Sequence, residues 1–116
     1  MFPETRSQLE RCLRQALTGK GLSSPRYAVV IPLVYDREEV GLLLEVRASG
    51  ISQAGDPCFP GGHIEPGEAP AQAAARELWE ELGIRSDPAS FLGQIPTVQT
   101  FLGSRSNIYV TVISEN

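Results

Sequence analysis

Four carboxylates and one guanidinium between positions 68 and 81 stand at spacings that could hold a divalent cation: Glu68, Arg76, Glu77, Glu80 and Glu81. Residues three and four apart share a helix face. At about 100° per residue, Glu77, Glu80 and Glu81 fall within an arc of roughly 100°, and Ala71, Ala74, Ala75, Leu78, Trp79 and Leu82 take the other side. One face is built to be buried and the other to hold three carboxylates together. Like charges one turn apart destabilise a helix, and the usual remedy, a Lys or Arg one turn away, is present only as Arg76. A solvated acidic face is the ordinary explanation of adjacent glutamates. Against it stand the missing cations and the glycine-rich turn Pro60-Gly61-Gly62 that leads into the segment, where the backbone can approach a phosphate or a metal closely. Hard cations such as Mg2+ take a few carboxylates, waters and substrate phosphates. Carboxylates that repel one another without a cation are the trace such a site leaves in a sequence.

Gly62, five residues, Glu68, seven residues, and then Arg76-Glu77-Leu78-Trp79-Glu80-Glu81-Leu82-Gly83-Ile84 resembles the Nudix box with every fixed position filled. The match runs from Gly62 to Ile84, 23 residues of the 116. The resemblance implies a Mg2+- or Mn2+-dependent hydrolase of a nucleoside diphosphate linked to another moiety. It also implies an α/β/α sandwich in which the box forms a loop–helix–loop against a mixed β-sheet. By the same resemblance Glu77 and Glu81 are the principal metal ligands. Glu80 is a further ligand, directly or through water, and the Gly61 carbonyl another. Glu68 supports a ligand or binds an additional ion. Arg76 orients Glu77 through a charge-assisted bond, beside simple charge balance. Gly62 and Gly83 are geometric, Leu78, Leu82 and Ile84 are core, and Trp79 packs rather than stacking on a base. Many family members draw a general base from a later loop. The only later glutamate is Glu115, so either a box glutamate deprotonates the water or the base lies in a missing tail.

The stretch before the box narrows the expectation. Leu42-Leu43-Leu44-Glu45-Val46-Arg47, then Gly55 and Phe59-Pro60-Gly61-Gly62, looks like the additional signature of the coenzyme A pyrophosphatase branch, in which a leucine-rich strand runs into an Arg, a loop, a Gly and FPGG. That branch usually carries a basic residue or His just before the Gly, and Ile51-Ser52-Gln53-Ala54 supplies none, a departure that bears on substrate and not on chemistry. The implied substrate is coenzyme A or a derivative, cleaved to 3′,5′-ADP and 4′-phosphopantetheine. Hydrolysis of ADP-ribose, a dinucleotide or a nucleoside triphosphate is the alternative within the class. A non-catalytic nucleotide-binding module is the alternative outside it, and the intact box speaks against that. Arg47 is the candidate for a substrate phosphate contact, set against a solvated surface role, and Arg105 is a second, weaker candidate.

These residues need a scaffold, and 116 residues suffice for one domain with one modest core. A net charge of −4 gives no broad basic surface for nucleic acid, so a phosphorylated small molecule must be held by local arginines and metal. Cys12 and Cys58 read as free thiols of a reducing cytosol. His63 is the sole histidine and no zinc spacing exists. The charged N-terminus does not resemble a signal peptide, and no apolar run is long enough for a membrane span. Thr5 to Leu17 reads as an amphipathic helix capped by Thr5 or Ser7 and ended by Gly19 or Gly21, packing on the sheet. Tyr27 to Tyr35 reads as a strand whose Pro32 places it at an edge or a bulge. Val40 to Val46 forms the second strand of a hairpin with it, and Ser90 to Leu102 reads as strand, break, strand. A last strand follows over Asn107 to Ile113. Nudix domains normally continue with another strand and a covering C-terminal helix. The expectation is therefore an incomplete domain whose uncovered sheet favours a homodimer.

Overall fold

The computed structural model describes residues 5–22, 24–36, 39–46, 55, 57–95 and 105–113. Helix α1 (Arg6–Ala16) starts at Thr5, whose hydroxyl accepts from Gln8 N while the Gln8 side chain accepts from Thr5 N. This reciprocal cap satisfies two otherwise orphaned donors. The helix ends at Leu17, whose N–H reaches Leu13 O at 2.8 Å, before either expected glycine. Leu17, partly buried, packs there against the cluster of Leu9, Leu92 and Val112.

Strands β1 (Tyr27–Tyr35), β2 (Val40–Leu42), β3 (Glu45–Val46), β4 (Pro57–Cys58) and β5 (Gly61–His63) precede helix α2 (Pro70–Leu82). A 3-10 turn (Pro88–Ser90), β6 (Gly93–Ile95) and β7 (Ser106–Ile113) follow it. The main sheet runs β2-β1-β7-β6, with β5 also pairing β1. Only β1 and β7 pair in parallel, so the sheet is mixed.

Two strand expectations change. Strand β1 is central rather than an edge: β7 lies along one side, and the other side is shared by β5 opposite Tyr27–Val29 and β2 opposite Leu33–Tyr35. Pro32 sits in the interval between those partners, where its carbonyl accepts from Leu43 N at 3.0 Å. Its missing N–H faces the same interval, so no ladder bond is lost. The expected strand over 40–46 is also divided. Its continuation along β1 is blocked by β5 and by Pro60, whose carbonyl takes Val30 N at 2.9 Å. The chain therefore leaves the sheet after Leu42, and Glu45–Val46 pair with Pro57–Cys58 as a separate two-stranded ribbon. Of the expected strand, break and strand over 90–102, β6 is present and residues 96–102 lie outside the described residues.

Side chains alternate across a strand, and here the alternation builds both layers. Ala28 and Val30 of β1 and Tyr109 of β7 face α2, whereas Leu33, Tyr35 and Val112 face α1. The register Val30↔Tyr109 and Leu33↔Val112 keeps each set on one side. The result is an α/β/α sandwich. Helix α2 contributes Ala73, Ala74 and Leu78, all fully buried, with Ala71, Ala75, Leu82 and Ile84 packed at the margin. Burying Leu78 alone is worth about 2 kcal/mol. Trp79 is not in this core: it is 47% exposed, with the Arg85 guanidinium 4.5 Å above its ring. It lies on the flank of α2 away from the β5 side, and its ring is covered by a cation rather than by the sheet. Val40 and Leu42 of β2, Leu44 beyond it and Val46 of β3 are exposed. No helix among the described residues is long and apolar enough to cross a membrane.

Candidate active site

Helix α2 begins with Pro70 at its first turn and with the Gln72 side chain accepting from Ala69 N at 2.9 Å. It ends at Gly83, which takes φ +69°, a left-handed cap that a residue with a side chain would resist. Between these ends the helix carries the acidic stripe past β5. Glu77 and Glu81, one turn apart, lie on the flank toward β5, and Glu80 points outward with its side chain 52% exposed.

Arg76 organises the first half of the stripe. Its Nε and Nη2 donate to the two oxygens of Glu68 at 2.8 and 3.0 Å, a bidentate fork. Its Nη1 donates to Glu77 at 2.9 Å and to Glu80 at 3.3 Å, and Nη2 also donates to the His63 carbonyl at 3.0 Å. Glu68 is itself fixed by Glu65 N at 3.0 Å. The guanidinium lowers the pKa of the Glu68 carboxyl, chiefly through this hydrogen bond, and the carboxylates in turn hold Arg76 firmly charged. The sequence expectation that Arg76 bonds Glu77 describes one arm of a larger hub that also includes the box turn.

Glu81 meets different surroundings. Its Oε2 accepts from Gly61 N at 2.9 Å. Burial pushes its carboxyl up to about 7, helped by the negative charges of Glu45 and Glu77 and by a hydrogen bond with Glu45, and opposed by the Gly61 N–H. Next along β5, a Cβ on Gly62 would lie 2.6 Å from Glu77 Oε1. Glycine at that position is what lets the Glu77 carboxylate lie against the strand. Adjacent glycines thus receive two carboxylates one helical turn apart.

Among the described residues, no three His, Cys, Asp or Glu side chains converge into a ready-made cage. A divalent cation of the Mg2+ type does not require one, since it is commonly held by one or two carboxylates with waters and phosphates. The hard oxygen donors of Glu77 and Glu81 and the cradle at Gly62 fit such an ion.

Arg47 and Glu115 lie outside the described residues. Arg105 Nε donates to the Ser24 carbonyl at 3.0 Å and its own carbonyl accepts from Arg26 and Tyr27 N, so it ties down the entry to β1. Sequence reading passed over Glu45. Its carboxyl touches Glu81 and accepts from Cys58 Sγ at 3.3 Å. The available signal was a single carboxylate inside an otherwise apolar run, Leu42 to Val46.

A model of the NUDIX domain matches residues 24–115. The chain belongs to the Nudix family. It is 37% identical over 106 residues, 90% of its length, to a protein of Salmonella dublin named uncharacterized Nudix hydrolase NudL, covering 55% of that protein. The chain thus spans about half the length of the curated relatives it matches. Two solved Nudix structures share its fold. A MutT/nudix family protein from Enterococcus faecalis superposes with a TM-score of 0.63 at 16% identity, covering all of this chain and 51% of the other. The Nudix domain of Shewanella oneidensis NrtR, complexed with ADP ribose, gives 0.60 at 21% identity over 82% of this chain and 64% of the other.

Proposed function

We propose that this Nudix domain carries out divalent-metal-dependent hydrolysis of the diphosphate in a nucleoside diphosphate linked to another moiety. The observation that carries the proposal is the pairing of Glu77 and Glu81 with the adjacent glycines Gly62 and Gly61, beside a guanidinium already committed to Glu68, Glu77 and Glu80. A bound Mg2+ or Mn2+ would neutralise phosphoryl charge and lower the pKa of water. Glu77 and Glu81 would hold it, with Glu80 and the Gly61 carbonyl as further donors. The bidentate pairing of Glu68 with Arg76 favours a supporting role for Glu68, which fixes Arg76 and through it Glu77. Glu80, exposed and the most loosely held of the three box carboxylates, takes the proton of the attacking water. Arg47 binds a substrate phosphate.

Coenzyme A or a derivative is the favoured substrate, on the strength of the leucine-rich run into Arg47 and of Phe59-Pro60-Gly61-Gly62. ADP-ribose or a dinucleotide is the second reading. It is favoured by fold neighbours described as an ADP-ribose complex and as an Ap4A hydrolase of Caenorhabditis elegans. A turnover panel with Mg2+ and with Mn2+ on coenzyme A, ADP-ribose, NADH, diadenosine polyphosphates and nucleoside triphosphates tests both. Release of 3′,5′-ADP and 4′-phosphopantetheine in preference to other products supports the first. Preference for another diphosphate replaces the substrate and keeps the chemistry, and no turnover with any of them overturns the proposal. A homodimer joined along the exposed Val40, Leu42, Leu44 and Val46 stripe is a further proposal, and a monomeric mass by light scattering would remove it.

A further inference from the structure

We infer that the cleft between the start of α1, the turn after α2 and the end of β7 is a second ligand site, separate from the acidic stripe, for a small planar anion of the nucleoside monophosphate type.

Three observations carry it. First, these elements border a cavity of about 550 Å3 whose walls include Arg6, Trp79, Ile84, Arg85, Ser86 and Thr111. Small-molecule sites span roughly 300–1,000 Å3 and set a few aimed polar groups in an apolar or aromatic lining. Secondly, Thr111 is 3% exposed, yet its hydroxyl has no hydrogen-bond partner among the described residues. Asn107, equally buried, accepts from Leu22 N at 2.8 Å. A buried polar group without a partner carries a desolvation cost, and the cavity that Thr111 borders is where a partner can stand. Thirdly, Arg85 meets no carboxylate at ion-pair distance among the described residues; its contact is the Trp79 ring, 4.5 Å away. The carboxylates bordering the cavity are already engaged: Glu10 Oε1 lies 3.7 Å from Arg6 Nε, and Asp87 Oδ1 accepts from Ala89 N at 2.9 Å. Arg6 is fixed at the rim by its Nη2, which donates to the Val112 carbonyl at 3.1 Å. An unpaired guanidinium stacked on an indole offers a flat face together with in-plane donors. A phosphate matches the donors of Arg85 and Arg6 and the Thr111 hydroxyl, and a nucleobase matches the flat stack of Arg85 on Trp79.

Trp79 is the sole tryptophan of the chain, so its fluorescence reports on the cleft directly. AMP titrated in EDTA should change that fluorescence saturably, and equilibrium dialysis should give the same affinity. Adenosine and inorganic phosphate, each holding half of the chemistry, should bind ~10-fold more weakly or worse. In Arg85→Ala, read by dialysis because the substitution also alters the surroundings of the indole, AMP affinity should fall ~10-fold or more. Thr111→Val removes the hydroxyl and should weaken binding ~5-fold. Glu81→Gln should bind AMP as the wild type does. Wild-type affinity in Arg85→Ala, or loss of binding in Glu81→Gln, overturns the inference and moves AMP to the acidic stripe. Absence of saturable AMP binding, or phosphate binding as tightly as AMP, overturns it too. None of these readouts requires turnover, so the proposed hydrolysis stands or falls separately.

Discussion

Arg76 and Glu81 sit five positions apart on one helix and face opposite electrostatic problems. Around Arg76 the protein supplies its own counter-charge: one guanidinium serves Glu68, Glu77 and Glu80, and the Glu68 carboxyl is lowered as a result. Around Glu81 partial burial comes first, with Glu45 and Glu77 as neighbours of the same sign, and the carboxyl rises to about 7. The first corner is finished by folding. The second crowds like-charged groups together without a basic side chain, and the Glu81 carboxyl holds its proton more tightly as a result. The contrast also explains how one stripe of like charges is tolerated on α2: half of it is an ion-pair hub, and half is held by a backbone N–H and by burial.

The comparison breaks most sharply at Glu81. Replacing it with Gln keeps the bond from Gly61 N and removes the charge, so turnover of the preferred diphosphate should fall ~100-fold or more while the metal-free protein stays folded. Full activity in Glu81→Gln would remove Glu81 from the cation site. Next in size is Gly62→Ala, whose Cβ would lie 2.6 Å from Glu77 Oε1 and must displace it. A ligand moved by about 1 Å costs on the order of 100-fold in rate, so kcat should drop by about that much. A variant with unchanged kcat would show that Glu77 does not need its place beside the strand.

Arg76→Lys tests the finished corner. It retains the charge and loses the fork to Glu68. Chemical denaturation should show a loss of about 2 kcal/mol, with a smaller fall in kcat than Glu81→Gln produces. Equal effects of the two substitutions would erase the distinction between the corners.

The smallest expected effect is a pH dependence. The folded pKa of Glu81 is raised from 4.5 to about 7, so the folded state binds the proton more tightly than the unfolded chain does. Its stabilising effect is full below pH 4.5 and is lost as pH rises through about 7. Allowing for solvent screening, the metal-free protein should lose on the order of 1 kcal/mol between about pH 5 and pH 8. Urea midpoints in EDTA measure this loss, and Glu81→Gln should flatten the curve. A wild-type curve already flat across that range would mean that Glu81 is not perturbed.

Local sequence was enough for the box and for the main elements. The three- and four-residue spacing of Glu77, Glu80 and Glu81 against Ala74, Leu78 and Leu82 defines α2 and its two sides, because helical geometry alone places them. The β-branched run from Tyr27 to Tyr35 defines β1, and Thr5 with Gln8 defines the start of α1. Partners distant in sequence decided the rest. Pro32 looked like an edge marker, yet it is buried in a central strand because β5 and β2 leave an interval at that point. The run from Val40 to Val46 looked like one strand and is divided because β5 occupies its path. Trp79 looked like core by periodicity, yet it stands half exposed with Arg85 over its ring. Glu45 had no motif to announce it. Its place beside Glu81 comes from a chain departure and a ribbon pairing, both long-range events. The sequence by itself determined which side chains could do metal chemistry, because their types and helical spacing are local. The tertiary structure decided which of them Arg76 neutralises and which are left crowded without a cationic side chain, because burial and contact between separate elements set that balance.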